Sequence, residues 1–205
     1  MTELTAWPTG GPALVTPHPI FDEKVIINHR GLRREYTRHE LATAAEKLLA
    51  DRVANDARAV ERGHFTPDQA RQRERCARAV AETMRAVAEQ RDPGDADKTW
   101  FETQGAEGAG WWEVRADLAS MFQNARTKAL ANRDNPALEQ RALKIAALAS
   151  WFEPARHGGH MPAILFAFHI EQHFARQREV KANAAPAPLP PRAQRAAAQP
   201  AGKLL

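Results

Sequence analysis

Four of the chain's eight histidines fall in one short stretch, His157, His160, His169 and His173, on both sides of its most apolar run. On a helix His169 and His173 stand one turn apart, within about 40° of each other. Such a pair can grip a metal ion, and His157 or His160 from the preceding loop completes a tetrahedral zinc site on paper. The order of residues argues against catalysis there. "HIEQH" is not the H-E-x-x-H arrangement that sets a general base beside zinc, and Glu171 points about 160° away from His173. The plainer reading is preferred: two histidines at the edge of a buried helix, each with one ring nitrogen bonded and the other wet. No cofactor is expected, with zinc as the alternative.

Arginines give the second pattern. Arg30, Arg33, Arg34 and Arg38 cluster ahead of the first long amphipathic stretch, opposed only by Glu35. Arg71, Arg75, Arg78 and Arg85 form a ridge on one side of the second stretch, a spacing that could engage a phosphate, a nucleotide or an acidic protein. Glu74, Glu82 and Glu89 lie on or beside the same ridge. Pairs such as Glu74 with Arg78 are i, i+4 neighbours, so a solvated ladder of ion pairs is the stronger reading of the ridge.

Other chemistries find little support. Neither "TGGP" nor "GAEGAG" has the strand-to-helix setting or the lysine of a phosphate loop, and no G-x-S-x-G elbow occurs. Cys76 is the chain's one cysteine, which excludes an intramolecular disulfide and points to a structural thiol in a reducing compartment. Carboxylates are spread at salt-bridge spacings along helix faces and converge on no cleft, so an enzyme is not expected. The formal charge of +4 is concentrated at the end: Lys181, Arg192, Arg195 and Lys203 face no acid in residues 181–205, which leaves residues 1–180 neutral. A surface basic throughout, as a dedicated nucleic-acid-binding domain would have, is therefore absent. No apolar run reaches the 18 or so residues of a membrane span, and the N-terminus lacks a basic start followed by an apolar segment. A cytoplasmic protein without membrane contact is expected.

The elements that must position these residues are helices. Ala, Leu, Arg, Glu and Gln dominate, while Val, Ile and Tyr are scarce. Residues 1–36 read as an extended arm, with Val25 to Ile27 and Arg30-Gly31 permitting a short β-hairpin. Thr37 and Glu40 make a capping box that starts a helix with Ala42, Ala45, Leu49, Val53, Ala57 and Val60 as its apolar stripe. Gly63 ends it, Thr66 and Pro67 start the next, and that one runs to about Arg91, with Ala77, Val80, Met84 and Val87 facing inward. The two make a long antiparallel hairpin over 37–91. The acidic, glycine-rich stretch 92–110 reads as a linker. A three-helix unit follows over 111–180: one helix at about 111–132 with Trp111, Val114, Leu118, Met121, Phe122 and Ala125 inward, and a second from Pro136 to Phe152 with Leu138, Ala142, Ile145, Ala149 and Phe152. A third begins near Pro162 and is apolar around almost its whole circumference to Ile170, as in a centrally packed helix. The Ala- and Pro-rich tail, 181–205, is expected to be disordered. The fold class is all-α.

Residues 54–90, "ANDARAVERGHFTPDQARQRERCARAVAETMRAVAEQ", resemble the helical hairpins of small prophage-encoded proteins, in which an Arg-Gly pair ends one helix, a Ser or Thr cap follows and an Ala- and Arg-rich helix resumes. The resemblance implies a phage or mobile-element accessory protein and transfers no site residue. The thin, Ala-rich stripes of the hairpin leave it short of buried area, so it should pack on something more. The expectation is a non-enzymatic interaction module that self-associates or binds a protein partner. Nucleic-acid or nucleotide binding through the arginine clusters and the basic tail is the alternative, and metal binding through the histidines the third.

Overall fold

The computed structural model describes residues 33, 35–93, 108–155 and 161–183, and all statements of presence or absence below refer to these. They form α1 (Arg38–Glu61), α2 (Pro67–Ala88), α3 (Trp111–Ala131), α4 (Pro136–Phe152) and α5 (Ala163–Asn183), with no strand beyond an isolated bridge between Pro154 and Pro162. The fold is all-α. The β-hairpin expected near residues 25–31 lies outside the described residues; of the tail expected to be disordered, 181–205, residues 181–183 are the end of α5 and the rest lies outside them.

Local chemistry sets the helix ends. Thr37 caps α1 by accepting from the Glu40 amide, while the Glu40 carboxylate accepts from the Thr37 amide at 2.8 Å. Thr66 and Gln69 repeat the device at α2, where Pro67 fills the first helical position. Gly63 closes α1 at φ 73° with Gly63 N–H donating to Val60 O and His64 N–H to Ala59 O, the bonding of a Schellman turn. α2 ends three residues earlier than the sequence suggests. Its last turn has the same pair of bonds, Gln90 to Val87 and Arg91 to Ala86, but Gln90 takes the left-handed conformation (φ 58°) without being glycine.

The chain divides into two compact units, Met1–Ala167 and Phe168–Leu205. In the first unit α1 pairs with α2 and α3 with α4, while α2 also meets α3 and α1 meets α4. Two helical hairpins therefore pack on each other. Most of the stretch 92–110, read from sequence as a linker, lies outside the described residues; α3 and α4 belong to the first unit with α1 and α2, and α5 is divided between the two units.

Packing also corrects the faces. α1 buries Leu41, Ala42, Ala45, Leu48, Arg52 and Asp56, whereas Val53 is 54% exposed and Ala57 is exposed. The true stripe is rotated by about 70° from the one the aliphatic residues mark. α2 buries ten residues, from Cys76 to Ala88, around well over half its circumference. The apolar surface expected to be left over on the hairpin is thus covered, on α2 at least, by this chain's own helices, because α3 packs against α2 and closes what a lone pair would expose. α4 is buried on nearly all sides, through Ala142, Leu143, Ile145, Ala146, Ala147 and Leu148. Along α5, Ala163, Ile164, Leu165 and Phe168 are buried, whereas Phe166 is half-buried and Ile170 exposed, so the helix is not buried around its whole circumference. The second unit, taken by itself, begins at Phe168 of that helix, which continues through Lys181 to Asn183 and exposes Ile170, Phe174 and Val180.

Candidate functional site

The two hairpins do not close completely along α1 and α4. Two cavities open there, both inside the first unit. One, of about 580 Å³, has an apolar floor of Ala44, Leu48, Ala137, Leu138 and Ile145, with Glu40, Lys47, Arg141 and Lys144 on its rim. The other, of about 460 Å³, lies toward the C-terminal half of α1 and reaches α2 and α3. Leu48, Leu138, Arg141 and Ile145 line both, so the two adjoin along α1 and α4, the first apolar and the second more polar. Tyr36 stands beside the apolar cavity, its hydroxyl donating to Gln140 Oε1 at 3.2 Å and its ring 5.9 Å from the Lys144 ammonium. Partial burial, reinforced by Glu35, raises the Tyr36 pKa.

The polar cavity is built from buried charge. Arg52, 5% exposed, donates from one terminal nitrogen to Asp117 at 2.8 Å and from the other to the Arg73 carbonyl. Arg73 in turn donates to both oxygens of Asp56, at 2.9 and 3.4 Å, with its guanidinium over the Phe65 ring at 4.4 Å. Asp51 holds Arg141 at 2.8 Å and Lys47 at 3.8 Å. On the α3 side stand Asn124 and Lys128, and Lys128 makes no ion pair with any described residue. A guanidinium sequestered this way persists because two acceptors replace its lost hydration. Beside this network the Cys76 thiol is pushed up to about 12, by burial first and by Asp117 and Glu113 second. It is inert as a nucleophile at neutral pH, in keeping with a structural thiol.

The residues singled out from sequence fall elsewhere. Arg78 bonds Glu74 at 2.7 Å, Arg85 bonds Glu46 at 2.9 Å and Glu82 at 3.3 Å, and Arg71 bonds Asp68. The Glu46 bond chiefly, with the Glu82 charge next, raises the Arg85 pKa. The α2 ridge is therefore an intramolecular ladder, with Arg75 exposed at its edge. Arg33 donates to the Ser150 hydroxyl at 3.3 Å and to the Ser150 carbonyl, and lies 5.0 Å over the Trp151 ring. It fastens the chain to α4. Arg38 is half-buried at the start of α1, and Arg30 and Arg34 lie outside the described residues.

His157 and His160 also lie outside them. His169 and His173 stack edge-on against Phe168 and Phe174, and His173 Nε2 is 2.9 Å from Gln177 Nε2. Among the described residues no three His, Cys, Asp or Glu side chains converge as metal ligands. No described helix is long and apolar enough to cross a membrane.

Sequence reasoning missed Arg52, Asp56, Arg73, Asp117, Lys128 and Arg141. A signal was present for two of them: Leu41, Ala45, Leu48, Arg52 and Asp56 follow one another at steps of four, three, four and four, so the charged pair continues the leucine stripe. Nothing in the spacing of Asp117, Lys128 or Arg141 reveals that helices remote in sequence bring them to the same place. No protein-family model, no curated protein and no solved structure matches the chain.

Proposed function

We propose that this protein is a helical interaction module whose partner is an acidic amphipathic helix of another protein, docked in the apolar cavity between α1 and α4. The observation that carries this is the cavity itself: an apolar floor about 580 Å³ in capacity with three cations on the rim, Lys47, Arg141 and Lys144, against Glu40 and against Asp51, which pairs Lys47 and Arg141. A helix laid in such a cleft buries residues spaced i, i+3, i+4 and i+7, and acidic flanks on it meet the basic rim. Self-association through the hairpin loses its motive, since α2 is covered within the chain. The mobile-element setting implied by the hairpin's resemblance makes a host or phage protein the natural source of such a helix.

The test is a pair of synthetic amphipathic helices with one apolar face and either acidic or basic flanks, titrated onto the isotope-labelled full chain. The acidic helix should shift amide signals of Ala44, Leu48 and Ile145, and Lys144→Glu should weaken it about tenfold, equivalent to ~1.4 kcal/mol. Equal shifts from both helices, or shifts confined to other surfaces, would refute the proposal.

A further inference from the structure

We infer that the more polar of the two cavities is a binding site for a small organic phosphate, a class of ligand separate from the docked helix. The charge count favours it. Arg52, Arg73, Lys128 and Arg141 line this cavity, against Asp51 and Asp56 on its wall and Asp117 behind Arg52. One positive charge is left over, which favours an anion. Each carboxylate is already engaged: Asp117 by Arg52, Asp56 by Arg73, and Asp51 by Arg141 and Lys47. Lys128 is the lining cation that no described carboxylate answers, and Asn55 and Asn124 line the same cavity as uncharged polar groups.

The geometry supports a phosphate carried on an organic body. Arg141 uses one terminal nitrogen on Asp51, and the planar fork of a guanidinium presents five donors in all, so further N–H groups remain for phosphate oxygens. Lys128 supplies a point charge from the facing wall. At about 460 Å³ the cavity is far larger than a bare phosphate needs and falls in the range of small-molecule pockets. Met121, Ala125, Leu138 and Ile145 give the remaining wall an apolar surface suited to a ring or short aliphatic group. The buried Arg52 and Arg73 pairs hold the floor in place, so binding requires no rearrangement of the core.

Phenyl phosphate, phenol and inorganic phosphate are the probes, titrated calorimetrically onto the full chain at low salt with no peptide present, so that failure here is separate from failure of helix docking. Phenyl phosphate should bind at least tenfold more tightly than either phenol or inorganic phosphate, and its affinity should fall as salt rises. Lys128→Ala should weaken it about tenfold and Arg141→Ala by more, while Arg75→Ala, an exposed arginine on the α2 ridge, should leave it unchanged. Circular dichroism and thermal melting establish that each variant is folded. Lys128 is exposed, so its replacement leaves the core intact whatever becomes of Arg141→Ala. Binding that Lys128→Ala does not alter, or phenol binding as well as phenyl phosphate, overturns the assignment.

Discussion

In its first three turns α1 turns Leu41, Ala45 and Leu48 to the interior, and two turns further the same stripe carries Arg52 and Asp56. Both halves are buried, yet by different means. The leucines are held by removal of apolar surface from water, which is indifferent to direction and tolerates small displacements. Arg52 and Asp56 are held by directed bonds to Asp117, to the Arg73 carbonyl and to the Arg73 guanidinium, each of which fails if the facing helix shifts by an ångström. The apolar half joins α1 to its neighbours, and the ionic half fixes their register and leaves a polar cavity between them. A helix that changes its mode of burial midway can carry two adjoining cavities of distinct chemistry.

Removing one side of the ionic half should have the largest effect. Asp117→Ala leaves the Arg52 guanidinium buried without its carboxylate, and losing one partner of a buried pair costs about 3–5 kcal/mol. Chemical denaturation of the single variant, set beside Arg52→Met with Asp117→Leu, sharpens the comparison, because an apolar pair of similar volume should recover most of the loss. A single variant within 1 kcal/mol of the parent would show that the ionic half carries no stability. In the apolar half, Leu41→Ala should cost about 2–4 kcal/mol through lost transfer energy and the cavity left behind, since Leu41 is fully buried. The doubly apolar ionic-site variant should leave the Leu41→Ala penalty unchanged, the two sites being three turns apart.

The difference between the halves also explains what could be read from the residues in order. Helix starts at Thr37, Thr66 and Asn135 were legible because capping chemistry is local: the acceptor and the amide it satisfies lie within three residues. The stop at Gly63 was legible for the same reason. Gln90 was not, since tertiary packing holds a non-glycine residue in the left-handed conformation and its type gives no sign of it. The inward face of α1 departs from its aliphatic stripe, since Val53 and Ala57 are exposed and Arg52 and Asp56 are buried. Aliphatic character marks burial only where the facing element is apolar as well, and here it offers Asp117 and Arg73. The cavities were invisible for a related reason: they lie where α1 and α4 meet without closing completely, a property of packing between helices about a hundred residues apart.

Cys76 lies against the ionic half and gives it a titratable reporter. Its thiol pKa is raised to about 12 in the folded chain, by burial first and by Asp117 second. The unfolded thiol titrates near 8.5–9, so between that pH and 12 the unfolded state has lost a proton that the folded state keeps, and stability falls as pH rises. The unfolding constant should steepen by about tenfold per pH unit in that window relative to Cys76→Ala, measured by denaturation at a series of pH values. Native protein should resist thiol reagents at pH 8 and react on unfolding. Rapid labelling of the native chain would place the thiol outside the packed region.

The smallest effect belongs at the start of the apolar half, where the Thr37 and Glu40 capping box holds the first turn of α1. Thr37→Ala removes an acceptor for the Glu40 amide and should cost about 1 kcal/mol, as N-cap replacements do. The Glu40 carboxylate is fully exposed, and its pKa is lowered chiefly by the bond from the Thr37 amide and next by the Thr37 hydroxyl. With a folded pKa below the unfolded one, its contribution is present above the unfolded value near 4.3 and is lost as pH falls through the folded value. Denaturation midpoints of the parent and of Glu40→Gln should therefore converge as pH drops below about 4, because protonated Glu40 can no longer present a carboxylate to the amide. Thr37→Ala should narrow that gap already at neutral pH by removing the hydroxyl bond while leaving the amide bond in place. A gap independent of pH would mean that Glu40 acts through its bulk and not through its charge, and that the apolar half of α1 starts without electrostatic help.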